Sequence, residues 1–279
     1  MCHIIKHISK KRKKMEINSE ENLLSKDLKI TSDTMKLYFL EKTVDESVEL
    51  INYGLNFLDK IEFANAFLIF SLSFLNLSRG FELLMKCMIC YREYNDLGRF
   101  PTKKNMRKDY GHDINKLREK IGTNYQGLFQ KNASDTRIVS QLQEDYNFIN
   151  ENEEIIRILE IISKYATVDR YYNLDYVVLD SPPKDTSAQS EMQKMILEFL
   201  EKDKQLFSTF MNNRENSLID DKIWQEIVKK YIKPDLIKFK RALRRQFVYG
   251  ILGDKAKKCR SVCSYKFTSR GLNKSGDIY

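Results

Sequence analysis

The amino-acid sequence predicts an all-α protein, a helical bundle followed by a helical C-terminal extension with a basic tail. Only 10 Gly and 4 Pro occur among 279 residues, whereas β-rich folds need many tight turns and therefore many of these two residue types. Apolar residues make up 42% of the chain, which is enough for a sizeable buried core. They recur at spacings of three and four, the period of one face of an α-helix.

The chain begins with a polar segment and continues with two long helices. Residues 1–31 are polar and basic and have no apolar pattern, which predicts a disordered arm. A first helix is expected from Ser32 or Asp33, either of which can cap it, to about Lys60. A second helix, at about 62–94, is apolar on nearly every side in its first half. This pattern predicts the central helix of a bundle.

Further helical patterns follow after a polar break. Gly98, Pro101 and a run of Lys and Arg predict a loop over 95–111. Pro234 suits the first turn of a later helix, because the N–H that proline lacks has no partner there. The remaining helices are expected after Asp113 and at about 135–149, 151–166, 191–213, 218–232 and 235–252.

Composition also predicts two regions joined by a linker. Residues 181–190 are rich in Pro, Ser and Thr, which is typical of a domain boundary. The bundle then comprises 32–180 and the C-terminal helical region comprises 191–253. The tail, 254–279, is basic and carries no repeated apolar face.

Positive charge is concentrated toward the ends of the chain, whose net charge is +9. Residues 1–14 carry six Lys or Arg and no acid, 222–245 carry nine and two acids, and 254–279 carry seven and two acids. Such segments attract polyanions, nucleic acid among them, although they are also common as solvated tails. Charge alone leaves both alternatives open.

Neither a membrane span nor a secretory signal is visible in the sequence. The longest stretch without a charge, 63–78, is shorter than the ~20 apolar residues that a bilayer span needs. The basic N-terminus has no apolar region with a cleavage site after it. Five Cys occur at irregular positions, so we expect the chain in the reducing cytoplasm and without a membrane partner.

Three charged residues share one face of the predicted central helix. Arg79, Glu82 and Lys86 are separated by three and four positions, which places them within about 60° of one another around the helix axis. One interpretation is a structural ion-pair ladder at the edge of the core, because buried charges must be paired. The other is a polar groove that holds a phosphate or a nucleotide.

A second candidate site lies in the sequence RKDYGHDINKL, which starts at Arg107. His112 stands just before a predicted helix that Asp113 can cap, with Arg107 and Lys108 nearby. The positive end of the helix dipole and these cations could bind an anion. The alternative is that His112 only packs or caps locally.

A third candidate is DRYYNLDY, residues 169–176, where one Arg and three Tyr lie beside two acids. Guanidinium and aromatic groups can stack on a nucleobase, or they can cover the end of a bundle. On a later predicted helix, Lys238, Arg241 and Arg245 share one face and could follow a phosphate backbone.

No cofactor or metal site is expected. Cys87 and Cys90 form a CxxC inside a continuous apolar helix without a second pair of ligands, which favours buried core thiols. A Gly-rich phosphate loop, a Ser-His-Asp order and the HExxH sequence are also absent.

The order of three sequences, FELLMKCMICY, GHDINKL and DRYYNLDY, resembles that of the HEPN superfamily over about residues 33–180. HEPN proteins are small helical bundles associated with nucleotide or RNA binding. The resemblance implies an HEPN-like bundle in which six residues gather into one polar site: Glu82, Lys86, His112, Asp113, Arg170 and Tyr171.

Many HEPN proteins are metal-independent ribonucleases, often homodimeric, in which an Arg precedes a His by a few residues. The resemblance therefore implies Arg107 and His112 as catalytic residues of an endoribonuclease of a toxin or defence type. In these nucleases the pair normally lies on one helix, whereas Gly111 separates Arg107 from the helix after His112 in this chain. The alternatives are a non-catalytic module that binds RNA or a nucleotide and a helical interaction protein.

Overall fold

The computed structural model describes residues 32–62, 65–125, 136–169, 186–212 and 217–259. Within these ranges every regular element is a helix, and no strand is present. The predicted all-α fold class is therefore confirmed. The predicted N-terminal arm, and the predicted tail beyond residue 259, lie outside the described residues.

The described helices include several that are shorter or more broken than the sequence predicts. In chain order they are α1 (Ser32–Leu58), α2 (Ala66–Leu97), α3 (Lys103–Asp109), α4 (Ile114–Gly122), α5 (Thr136–Glu151), α6 (Glu153–Thr167), α7 (Ala188–Lys202), α8 (Lys204–Asn212), α9 (Ser217–Ile227), α10 (Lys233–Val248) and α11 (Asp254–Lys257). A π-helical segment, Val228–Ile232, joins α9 to α10.

The chain divides into two compact units, Met1–Lys42 and Thr43–Tyr279. In the first unit, the rings of Tyr38 and Phe39 lie edge to face at 5.6 Å. Composition predicts a boundary at 181–190, whereas the structure keeps the chain on both sides of that segment in the second unit. The physical reason is that the C-terminal helices contribute side chains to the same core as α2.

Helix α2 supplies the centre of that core. Its buried rings form edge-to-face pairs with rings on α6 and α10, and such pairs add to the free energy gained by burial. The pairs are Phe74 with Tyr165 at 5.7 Å, Phe81 with Phe239 at 5.2 Å and Tyr91 with Phe247 at 5.8 Å. Aromatic contacts therefore join residues that are between 91 and 158 positions apart in sequence.

Helices α1 and α2 approach each other closely at two glycines. A Cβ on Gly80 would lie 2.7 Å from Ile51 Cγ1 and 2.9 Å from the Ile51 backbone nitrogen. About two turns earlier on α2, Ser73 Oγ donates a hydrogen bond of 2.9 Å to the carbonyl of Gly54 on α1. The two helices can therefore pack this closely only because Gly80 has no side chain.

The predicted loop over 95–111 contains a helix. Gly98 ends α2 in the left-handed region with φ of 64°, and α3 begins five residues later. Thr102 caps α3, since its side chain accepts a hydrogen bond from the Asn105 N–H at 3.2 Å. Lys, Arg and Met are good helix formers, so the basic run is helical although it is polar.

The helix predicted over 191–213 is interrupted at Asp203, which separates α7 from α8. Asp203 Oδ1 accepts from the Leu206 N–H at 3.2 Å. Its other oxygen accepts from Lys230 Nζ at 2.6 Å and from the Tyr231 hydroxyl at 3.0 Å. Because these donors lie on the π-helical segment, the position of the break depends on a distant part of the chain.

By length and composition α2 could cross a membrane, with a mean hydropathy of 1.3 over its most apolar 18 residues. Of that window, 56% is buried inside the protein. The core helix of a folded domain has the same composition. The absence of a membrane partner stays a prediction.

Lys240, on α10, is the most deeply buried cation of the described core, with 3% of its surface exposed. Its Nζ donates to Asn52 Oδ1 at 2.7 Å. Burial, assisted by the nearby charges of Arg241 and Arg244, lowers the pKa of Lys240 from 10.5 to about 8. Between these two values the unfolded chain binds the proton and the folded chain does not, so folding stability rises with pH.

We expect this rise to disappear in Lys240→Met. Relative to the variant, the parent should gain roughly 2 kcal/mol in its free energy of unfolding between pH 8 and pH 10. Urea unfolding of both proteins across this range measures the difference, and the comparison cancels other titrating groups. Parallel pH curves for the two proteins would show that Lys240 does not lose its proton on folding.

Candidate functional site

Glu82 is the buried centre of the charged stripe on α2. Its side chain is 6% exposed. Lys86 Nζ donates to Glu82 Oε1 at 2.7 Å, and a guanidinium nitrogen of Arg79 lies 3.9 Å from the same oxygen. The stripe is therefore ion-paired within α2, as the i, i+3 and i, i+4 spacings indicate.

The turn between α3 and α4 is held against this stripe. It contains Gly111, whose φ of 53° lies in the left-handed region, where glycine is least strained. The Nζ of Lys86, besides its bond to Glu82, donates a hydrogen bond to the carbonyl of Gly111. One lysine on α2 thus holds both the buried carboxylate and the turn.

Asp113 caps α4 as the sequence predicts. Its Oδ1 accepts from the backbone N–H groups of Asn115 at 3.0 Å and Lys116 at 3.1 Å. The first helical N–H, that of Ile114, donates to the hydroxyl of Ser163 on α6 at 3.1 Å. The start of α4 is consequently fixed to the body of the protein by a residue that the sequence does not single out.

His112 lies between these anchored elements and faces solvent. Its Nδ1 is 3.1 Å from Glu82 Oε2, while 67% of its side chain is exposed. An ionised carboxylate only accepts hydrogen bonds, so Nδ1 carries the proton in the neutral ring and Nε2 has the free lone pair. None of the described residues forms a hydrogen bond with Nε2.

The charge state of Glu82 supports this arrangement. Burial alone would raise the pKa of the Glu82 carboxyl, but hydrogen bonds from Lys86 and His112 outweigh it and hold the pKa below its ordinary value. Glu82 is therefore ionised near neutral pH. A fixed negative charge behind Nδ1 orients the imidazole.

The structure brings together Glu82, Lys86 and His112, with Asp113 as the next residue in the turn. Arg107 lies on α3, so a turn separates it from His112, and the pair does not share one helix. Arg107 is exposed, and its side chain has no hydrogen bond or ion pair with any described residue. Arg170 and Tyr171 lie outside the described residues.

The predicted basic face of α10 contacts α5 instead of the His112 turn. Arg245 Nε donates to Asp145 Oδ2 at 2.6 Å, and its Nη2 donates to Oδ1 of the same carboxylate. Lys238 Nζ lies 4.4 Å from the centroid of the Phe148 ring, and Arg241 is exposed. Arg245 would have to leave a buried carboxylate in order to bind a phosphate.

The described part of the chain contains no group of three or more His, Cys, Asp or Glu that could hold a metal ion. Cys87 is buried and Cys90 is partly buried. Burial raises the pKa of the Cys87 thiol well above its ordinary value and that of Cys90 to about 11. Both are protonated and unreactive near neutral pH, as expected for core thiols.

Comparison of the chain with protein-family models, with curated proteins and with solved structures gives no match. The resemblance to the HEPN superfamily therefore stays a prediction that rests on the three sequences quoted above.

Proposed function

We propose that this chain is an HEPN-like RNA-binding protein that cleaves RNA without a metal ion, with His112 as its general base. One observation carries the proposal. An exposed histidine is hydrogen-bonded through Nδ1 to a buried, ionised glutamate, so its Nε2 is free to exchange a proton with a ligand. A histidine oriented by a carboxylate in this way can act as a general acid or base.

In the proposed reaction, Nε2 of His112 takes the proton from a ribose 2′-hydroxyl. The 2′-oxygen then attacks the adjacent phosphorus, the bond from phosphorus to the 5′-oxygen breaks, and the leaving oxygen takes up a proton from water. The hydroxide formed in this way takes the proton from the His112 imidazolium, which restores the neutral ring. Glu82 stabilises the imidazolium that forms, while Arg107 stabilises the additional charge on the phosphate. The products are a 2′,3′-cyclic phosphate and a 5′-hydroxyl.

Lys86 is a positioning residue in this mechanism. It donates both to Glu82 and to the carbonyl of Gly111, the residue before His112. Such positioning matters, because a misplacement of about 1 Å can slow a reaction by about 100-fold. The HEPN resemblance implies that Arg170 and Tyr171 also belong to the site, where their guanidinium and aromatic groups would stack on a base.

The test is cleavage of a labelled RNA by the purified chain in excess EDTA. We expect products with 2′,3′-cyclic phosphate ends, and no cleavage of the same sequence carrying 2′-O-methyl groups, because the methyl group removes the nucleophile. Cleavage that needs added Mg²⁺, or that also occurs in the 2′-O-methyl oligonucleotide, contradicts the proposed mechanism.

A second candidate is a helical module whose polar site is structural. The observation in its favour is that Glu82 is already satisfied within the chain by Lys86 and His112. Salt-sensitive RNA binding without cleavage would identify a binding module. If the chain neither binds nor cleaves RNA, the remaining interpretation is a helical interaction protein.

A further inference from the structure

Helix α3 is a surface helix of concentrated positive charge. None of its seven residues is buried. It carries four cations, Lys103, Lys104, Arg107 and Lys108, and one acid, Asp109. A helix this polar contributes little to the core, so another role has to account for its composition.

The four cations lie on one side of α3. Lys103 and Arg107 are four positions apart, as are Lys104 and Lys108, and residues with this spacing form rows along a helix. The two rows are adjacent, because their first members are consecutive. Met106, on the other side, is the one residue of the helix that is partly covered.

The side chains of these cations also have no polar partner among the described residues. None of the four side chains forms a hydrogen bond or an ion pair with any residue that the structure describes. Several cations elsewhere are held by carboxylates, for example Lys230 by Asp203 and Arg245 by Asp145. A free cation can bind a phosphate without breaking an existing ion pair, so its contribution to polyanion binding is undiminished.

The position of α3 relates it directly to the candidate site. Two residues, Tyr110 and Gly111, separate its end from His112. They form a tight turn, in which the Asp113 N–H donates to the Tyr110 carbonyl at 3.0 Å. Lys86 fixes the same turn to α2. The two rows of cations, which end at Arg107 and Lys108, therefore end five and four positions before His112.

We propose that these two rows bind the phosphate backbone of single-stranded RNA and lead the strand to His112. The inference rests on the proposed function, since it names the surface and the form of its RNA ligand. At 1.5 Å per residue, α3 is only about 10 Å long, which suits a few nucleotides of one strand. Proteins that recognise double-stranded RNA by shape span roughly 16 base pairs instead.

The experiment replaces Lys103, Lys104 and Lys108 together by Gln and leaves Arg107 in place, because Arg107 belongs to the proposed catalytic site. The matched control replaces Lys194, Lys202 and Lys204, three exposed lysines of α7 and α8, and removes the same charge. Fluorescence anisotropy of a labelled 2′-O-methyl oligouridylate, which the proposed mechanism cannot cleave, measures binding over a range of salt concentrations.

The expected result is a loss of salt dependence confined to the α3 variant. Each phosphate contact to a single strand contributes about 0.7 to the slope of log K against log salt, so three lost lysines should reduce the slope by about 2. Equal effects of the two triple variants, equal losses for a duplex of the same length, or no binding by the parent would each overturn the proposal.

Cleavage of unmodified RNA by the same proteins separates this inference from the proposed function. If the parent cleaves RNA and the α3 variant binds as tightly as the parent, the proposed ribonuclease function is retained and the RNA-binding surface on α3 is rejected. If the α3 variant alone binds weakly while no protein cleaves, the surface stands and the nuclease is rejected.

Discussion

Replacing His112 by Ala is expected to reduce RNA cleavage by at least about 100-fold, since a positioned general base typically contributes that much or more. The free energy of unfolding should stay within about 1–2 kcal/mol of the parent. The ring is 67% exposed, and Glu82 keeps its hydrogen bond from Lys86 after the substitution. Single-turnover cleavage at saturating RNA and urea unfolding measure the two effects.

Added imidazole provides the control for this variant. It should restore part of the cleavage by His112→Ala if the lost group is a proton acceptor, because the space of the ring is then open to solvent. Parental cleavage by His112→Ala would reject His112 as the base. If the variant fails to fold and the parent does not cleave RNA, His112 is a structural residue and the nuclease proposal should be dropped.

Replacing Arg245 by Met is expected to destabilise the protein by about 3–5 kcal/mol, the usual cost of leaving one partner of a buried ion pair alone. Asp145 is completely buried, and Arg245 supplies hydrogen bonds to both of its oxygens. Burial raises the pKa of Asp145 above its ordinary value even with Arg245 in contact. The surroundings therefore strongly disfavour a charge that has lost its partner.

Arg157→Met is the matched control, since Arg157 pairs with Glu198 on the surface, where both side chains are about one third or more exposed. Its cost should stay below about 1 kcal/mol. Changing Asp145 to Leu together with Arg245→Met should recover part of the lost stability. Equal costs for the two single Arg variants, measured by urea unfolding, would contradict the buried-pair argument.

The loss of stability expected when Arg245 is replaced also affects tests of RNA binding on α10. A variant that removes Arg245 together with its neighbours would lose stability as well as charge. Lys238 and Arg241 can be replaced without removing the hydrogen bonds that Arg245 donates to Asp145, so they are the appropriate pair for that surface. Binding unchanged in Lys238→Gln/Arg241→Gln would remove α10 from the RNA-binding surface.

The sequence by itself determined the features that depend on neighbours along the chain. The apolar period predicts α1 and α2 to within a few residues, because a helix buries the face formed by positions three and four apart. The cap at Asp113 follows from the same local chemistry. The pairing of Glu82 with Lys86 needs only the geometry of one helix.

The tertiary structure alone decided the features that depend on residues far apart in sequence. The break at Asp203 is fixed by donors 27 and 28 positions away. The orientation of His112 depends on Glu82, 30 positions earlier. Arg245 donates hydrogen bonds to Asp145, which lies 100 positions earlier. A local pattern shows which side chains are polar, but the partner that satisfies a buried charge is chosen by helix packing.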